Sequence, residues 1–294
     1  MLISVYKILS VFSLLFHLFQ LCTRQPLPVA KAPHSGAIKK HNQNTSNKHD
    51  GFRSKTVVGA PPLDLQLLRR HMSISQSPVG TPVTFYSKAK IYWSQVPATV
   101  DGMLSGYTSL NVPDIADSEI FLDEFGPSTT AYALDCGAGI GRVTKQLLLP
   151  RFSIVDMDFT PPTGRYDLIW IQWVLGHLSD LALLAFLKRC AHGLSPGGVI
   201  VIKENITSPG GHDEKSIMNS EEIDFDEIDS SYTRSRSTYI RAFMDTGLTL
   251  IGERAQTNFP SSFYPVRMFA LSYNGDPKAS PTKSLPKPLP TVSA

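Results

Sequence analysis

The chain has 294 residues, 42% of them hydrophobic and 18% charged, enough for one globular domain of ordinary size with segments to spare. Its net charge of +3 is small, and the positive charge is scattered toward the two ends rather than massed in a stripe, which argues against nucleic acid as a direct partner. Cys22, Cys136 and Cys190 are odd in number and lack metal-ligand spacing, so neither a disulfide framework nor a metal centre is expected.

In chain order, the first element is the apolar run "MLISVYKILSVFSLLFHLFQLC", residues 1–22, with one early charge at Lys7. It is at the short end of the ~17–25 residues a membrane span needs and is interrupted by His17 and Gln20. It therefore reads equally as a signal or anchor, or as an extension with no membrane consequence. Asn44 and Asn205 head Asn-x-Ser/Thr acceptor patterns, which matter only in a secreted chain. Residues 23–80 are rich in Pro, Ser, Asn, Lys and His with no periodic apolar face and predict a disordered linker; residues 274–294 predict a disordered tail. The folded part is expected over residues 81–273.

Within it, "SKAKIYWSQVPATVDGMLSGY" and "DSEIFLDEF" predict short helices over the ligand-binding end of a sheet. "AYALDCG" reads as a buried strand, "GRVTKQLLL" as a helix, and "SIVDM" and "DLIWIQWVL" as strands. "DLALLAFLKRCAHGL" is a helix stopped by "SPGG", and "VIVIKEN" is a strand. "STYIRAFMDTGL" is a helix closed by Gly247, and "TLIGERAQ" with "YPVRMFALSY" predicts an antiparallel hairpin at one sheet edge. Alternating strands and helices predict an α/β fold with a mostly parallel sheet covered on both faces.

In "LDCGAGIGR" a strand ends at Asp135, and Gly137, Gly139 and Gly141 follow at alternate positions before a helix. Residues without Cβ let a ligand lie against such a turn at the carboxyl end of a strand, where open α/β sheets bind ligands. A dinucleotide turn would carry a third glycine where Arg142 stands. The order acid-x-G-x-G-x-G resembles the first motif of S-adenosylmethionine-dependent methyltransferases.

The resemblance is sharper over residues 87–271. "YWSQVPATVDGMLSGY", "ALDCGAGIGR", "LIWIQWVLGHL", "VIVIKEN" and "DEIDSS", in this order, resemble the eukaryotic protein α-N-terminal methyltransferases. That family methylates the free α-amino group of proteins beginning Xaa-Pro-Lys or Xaa-Pro-Arg. The resemblance implies a Rossmann-like methyltransferase fold, S-adenosyl-L-methionine as cofactor, exposed N-terminal tails as partners, and a place in cytoplasm and nucleus. A membrane-associated or secreted chain is the alternative through residues 1–22.

The resemblance also implies roles. Gly137, Gly139 and Arg142 meet the methionine end of the cofactor, Gln172 lies beside the sulfonium and Met103 covers the ligand. Trp93, Leu104 and Trp173 line a slot for the second-position proline, and Asn205 holds the peptide backbone. Asp226, with Tyr264 as a lesser candidate, meets the third-position cation. Asp229 and His177 are the proton acceptors. Read from the residues alone, His177 could equally be a capping or core imidazole, Asp229 an N-cap before "SSYTRS", and the acids around Asp226 a solvated loop. Ser105 stands where the family usually has glycine.

The largest departure is "IVDMDFTPPTGRYDLIW", residues 154–170. In the family an acid for the ribose, a helix, a third strand and an adenine-embracing turn separate "VDM" from "DFTP"; here the two join directly, as though about thirty residues were omitted. Two parallel strands need a crossover of about a dozen residues or more. The sheet is therefore expected to lack one helix and one strand, Asp158 can serve as ribose acid or as the acid of "DFTP" but not both, and cofactor binding is expected to be weak or absent. Two other readings stay open: a catalytically silent peptide-binding homologue and a small-molecule methyltransferase on the same fold.

Overall fold

The computed structural model describes residues 82–157, 161–208 and 213–275. The apolar run, the linker, nearly all of the tail and Asp158 lie outside the described residues. Two sheets form. The larger has β1 (Tyr132–Cys136), β2 (Ile154–Asp156), β3 (Tyr166–Gln172) and β4 (Leu194–Asn205), while β5 (Ile223–Asp226) and β6 (Ser231–Arg234) make a separate antiparallel hairpin. Strands β7 (Thr249–Ala255) and β8 (Val266–Ser272) complete the large sheet in the order β2-β1-β3-β4-β8-β7. The ladders β2·β1·β3·β4 are parallel, and β4·β8 and β8·β7 are antiparallel. The mostly parallel sheet with an antiparallel carboxyl-terminal edge is as expected.

The core follows from the two-residue period of a strand. All seven residues of β3 are buried. Leu168 and Trp170 turn to one face with Val199, Val201 and Met268, where they meet Phe121 and Leu122 of α3 (Asn111–Phe125), which follows α1 (Pro82–Gln95) and α2 (Val100–Met103). Ile169 and Ile171 turn to the other face with Ile200, Ile202 and Phe269, against Leu184 and Leu187 of α4 (Asp180–Gly193). Past the short α5 (Glu214–Asn219), Tyr239 and Phe243 of α6 (Arg236–Asp245) join that second layer. A continuous apolar run is what a strand covered on both sides requires.

Three stretches take a form that the sequence reading did not specify. The helix expected after the glycine turn is a brief helical passage ending in a π-turn at Thr144–Leu148. The fourth helix ends at Gly193, just before "SPGG" as expected, and that stretch already lies within β4: Leu194 pairs with Tyr166, and the register shifts before Leu168 pairs with Val199. Gly198 makes this possible, because a Cβ there would stand 2.7 Å from the Tyr166 carbonyl oxygen. The acidic segment, for which a solvated loop was the alternative, forms the hairpin β5–β6, whose Phe225 and Tyr232 rings stack on Phe85 of α1 at centroid distances of 6.2 and 5.5 Å.

The junction is the sheet's rim. β2 has three residues and pairs only with β1, whose other neighbour is β3. Nine residues separate Asp156 from Tyr166, and no helix lies among the described ones. The Tyr166 hydroxyl donates to the Asp156 carboxylate at 2.9 Å and Arg165 pairs with it at 3.1 Å, so the strand-end acid is tied to residues just beyond the junction. Ile154 and Met157 stay 43% and 45% exposed.

At the opposite end of the sheet, Asp167 accepts from the Ala131 and Tyr132 amides at 2.8 and 3.0 Å and from the Thr129 and Ser195 hydroxyls at 2.8 and 2.9 Å. It pins β1, β3 and β4 in register. Asp167→Ala leaves two backbone donors and two hydroxyls without that acceptor, so urea unfolding should show about 2–4 kcal/mol less stability. A loss under 0.5 kcal/mol would mean that the clamp is dispensable.

Candidate active site

Gly137 and Gly139 follow β1 with φ of 78° and 56°, in the left-handed region that glycine occupies without strain. A Cβ on Gly137 would come within 3.0 Å of the Val174 side chain, and one on Gly139 within 3.0 Å of the Met103 Sδ. The turn is thus a cradle closed from above by α2. Asp135, beneath it, takes the Thr144 hydroxyl at 2.5 Å. Burial pushes its carboxyl up to about 6 despite that bond and the nearby Arg142.

Arg142 and Gln172 converge on a group the sequence reading missed. Asp114, fully buried on α3, takes Arg142 Nη1 at 2.7 Å, Lys203 Nζ at 2.6 Å and the Gln172 amide at 2.9 Å. Burial pushes the Asp114 carboxyl up, but Lys203 and Arg142 outweigh it and hold the group below the ordinary carboxylate value. Burial lowers Lys203, and Asp114 partly opposes this. With the Asp114 carbonyl and Ser118 hydroxyl also at 2.9 and 2.8 Å, Nζ has three acceptors, which favours its charged form.

Trp173 follows β3 with φ of 51°, a costly conformation for a bulky residue, and its buried indole N–H has no partner among the described residues. The Arg142 guanidinium lies over its ring at 5.8 Å. Glu204, also missed, accepts from the Val174 and Leu175 amides at 2.8 Å each and so holds the short 3-10 turn that carries His177. The Trp93 indole N–H donates to His177 Nε2 at 2.9 Å, leaving His177 Nδ1–H to face the Ser230 carbonyl at 3.4 Å. Burial holds this imidazole below its ordinary value, with the Asp229 charge and the Ser230 carbonyl opposing, so it is neutral near pH 7. Ser105 adopts φ of 49°, where glycine would sit without strain.

Around a solvent-open cavity the structure gathers eight of the thirteen residues singled out by sequence: Trp93, Met103, Gly137, Gly139, Arg142, Gln172, Trp173 and His177. The other five stand outside its lining. Leu104 is buried next to Met103, and Asn205 ends β4. Asp226 is exposed and accepts from the Ile228 amide at 2.7 Å, while the Tyr264 hydroxyl donates to Asp224 at 2.9 Å. Asp229 takes the Ser231 hydroxyl at 2.6 Å inside the hairpin turn; it is not an N-cap, a place filled by Ser235.

The glycine cradle, the Arg142 fork and the orphaned Trp173 N–H fit the amino-acid end of S-adenosylmethionine. Among the described residues the nucleoside end has no such cradle: β2 is the rim, and Asp156 at its end is bound by Tyr166 and Arg165. Fold and cavity together define a Rossmann-like S-adenosylmethionine-dependent methyltransferase. Comparison with known proteins narrows this. A family model for AdoMet-dependent proline di-methyltransferases matches residues 81–158 and 157–272, and the chain belongs to that family.

Among relatives, Alpha N-terminal protein methyltransferase 1 of Caenorhabditis elegans is 42% identical over 233 residues, covering 68% of this chain and 95% of the relative. The human N-terminal Xaa-Pro-Lys N-methyltransferase 1 is 43% identical over 223 residues, covering 64% and 95%. A Leishmania major SAM-dependent methyltransferase structure aligns with a TM-score of 0.58 and 32% identity over 66% of this chain and 87% of that one. The family match breaks at residues 157–158, where the sequence reading placed the omission. Sixty-eight per cent of 294 residues is about 200, so roughly thirty of the 233 aligned positions of the nematode relative face no residue here.

Burial also pushes the Glu204 carboxyl up to about 7, against the two amides that favour its anion. With a folded value above the unfolded value of about 4.3, its contribution is fully present below the unfolded value and is lost as pH rises through the folded one. Stability should therefore fall by about 2–3 kcal/mol between pH 4.5 and 7.5 from this group. Glu204→Gln should flatten that segment of a stability-versus-pH curve from urea unfolding, and an unchanged slope would exclude Glu204 as its source.

Proposed function

We propose that the chain is a protein α-N-terminal methyltransferase, with S-adenosylmethionine as methyl donor and N-termini beginning Xaa-Pro-Lys or Xaa-Pro-Arg as substrates, in which cofactor capture is impaired at the nucleoside end. The observation that carries the reading is the single cavity in which the Gly137–Arg142 cradle faces the Trp93, Trp173 and His177 side chains. The relatives' names support the substrate class.

In this reading the cofactor supplies an electrophilic methyl group, and the chain's work is to hold two ligands and one proton. Gly137 and Gly139 let the donor lie against backbone, Arg142 meets its carboxylate, and Gln172 and Met103 border the methyl end. Trp93, Leu104 and Trp173 enclose the proline ring, and Asn205 holds the peptide backbone. Asp226 and Tyr264 stand toward the third-position cation. An α-amine has an ordinary pKa of about 7.7–8.0, so the proton it must shed is within reach of a neutral imidazole or a carboxylate. His177 and Asp229 take that part. The His177 lone pair is held by Trp93 in this structure, so the amine reaches it by displacing the indole.

Incubated with labelled cofactor and peptides beginning Ser-Pro-Lys or Ser-Gln-Lys, the chain should label the first alone; label in the second only would sink the reading. A calorimetric titration with S-adenosylmethionine should show affinity well weaker than micromolar. A helix and strand inserted between Met157 and Asp158 should restore it, and micromolar binding by the unaltered chain would refute the impairment.

The rim position of β2 also favours a second reading, a silent peptide-binding homologue. Its signature is binding of a Ser-Pro-Lys peptide without cofactor, with no transfer at any cofactor concentration.

A further inference from the structure

Asp114 does not line the cavity, yet both its oxygens are spent on residues that do. Oδ2 takes Arg142 Nη1 at 2.7 Å and Gln172 Nε2 at 3.1 Å; Oδ1 takes the same amide at 2.9 Å and Lys203 Nζ at 2.6 Å. An ionised carboxylate only accepts, so it dictates which end of the Gln172 amide faces it; the Trp170 indole N–H, donating to Gln172 Oε1 at 3.0 Å, dictates the other. Arg142 is fixed in the same way. Its Nη1 is held by Asp114 and, at 3.2 Å, by Asn111 Oδ1, while Nε and Nη2 keep no protein partner among the described residues.

From this geometry we propose that Asp114 is the positioning residue for the amino-acid end of the cofactor site. It sets the Arg142 fork and the Gln172 amide, and Lys203 balances its charge. The inference rests on the reading of this cavity as a cofactor site. The edge of Arg142 that Asp114 and Asn111 leave unengaged is suited to a ligand carboxylate. The neighbouring acid on α3 sharpens the contrast: Asp117 is also buried but spends itself on the Gln256 amide and on Thr257, away from the cavity.

The test compares S-adenosylhomocysteine, which has the amino-acid arm, with 5′-methylthioadenosine, which lacks it, by ligand-observed NMR at millimolar concentration. Both share any deficit at the nucleoside end, so their ratio reads the arm alone. Asp114→Asn combined with Lys203→Met keeps the buried charges nearer balance; it should cut the preference for S-adenosylhomocysteine by about tenfold and leave methylthioadenosine binding unchanged. Asp117→Asn should lower the melting temperature and keep the preference. An unchanged preference in the double variant, or an equal loss in Asp117→Asn, would overturn the proposal. If neither ligand binds the parent chain, the cofactor-site reading has failed. The Arg142 Nε–H resonance then decides: its loss by broadening in the double variant alone supports the positioning role, and its persistence there overturns it.

Discussion

One carboxylate with no exposed surface ties the helical cap to the sheet. Asp114 joins α3 to β3 through Gln172, to β4 through Lys203 and to the glycine turn through Arg142. A buried ion pair is a poor device for stability, because desolvating its members costs about as much as their attraction returns, whereas removing one member costs about 3–5 kcal/mol. The arrangement therefore does little to deepen the native state and much to make it single-valued. α3 cannot slide or rotate over the sheet without leaving a charge buried and unmet. The cavity mouth beneath α2 inherits that rigidity, since Met103 reaches the cradle from the same cap.

Much of this was legible in the sequence because it was written in period and turn chemistry. The runs at Ala133–Cys136 and Leu168–Ile171 could be little else than strands covered on both sides, and three alternate glycines after an acid marked a ligand turn; all three adopt positive φ. The family resemblance implied a shared slot for Trp93 and Trp173 and a base in His177, and all three line one cavity. Asp114 was hidden because an acid in the first turn of a helix is ordinary, favoured there by the helix dipole. Glu204 and Lys203 left a fainter trace, a charged pair closing an apolar strand, which deserves suspicion because two adjacent strand residues cannot both face solvent when both faces are covered. The hairpin β5–β6 was not foreseen, because its four acids equal its apolar residues in number and leave a solvated loop as a ready alternative. Phe225 and Tyr232 decide its structure by packing on α1, a contact no local pattern reveals.

The junction shows how a domain can lose a piece and keep its centre. β2 stands outermost, so anything beyond it is attached to a single neighbour, while β1, β3, β4 and β8 share ladders and two apolar layers to which β2 adds only the half-buried Val155. The split in the family match coincides with that rim. The exposed Ile154 and Met157 mark the surface left by the omission, and the Tyr166 and Arg165 bonds to Asp156 occupy the acid at its end. The glycine turn after β1 and the cavity it borders do not depend on that rim.

The contact between Trp93 and His177 has a further consequence. Because the imidazole lone pair already holds an indole N–H, an incoming amine would exchange one donor for another, and that bond alone contributes little net affinity. Selection among N-termini then falls to what the displaced indole does next. An indole that swings aside from the imidazole must find a flat apolar surface to cover, and a proline ring offers one where a glutamine side chain does not. On the proposed reading, the same side chain would act first as a placeholder for the guest and then as the wall that judges it.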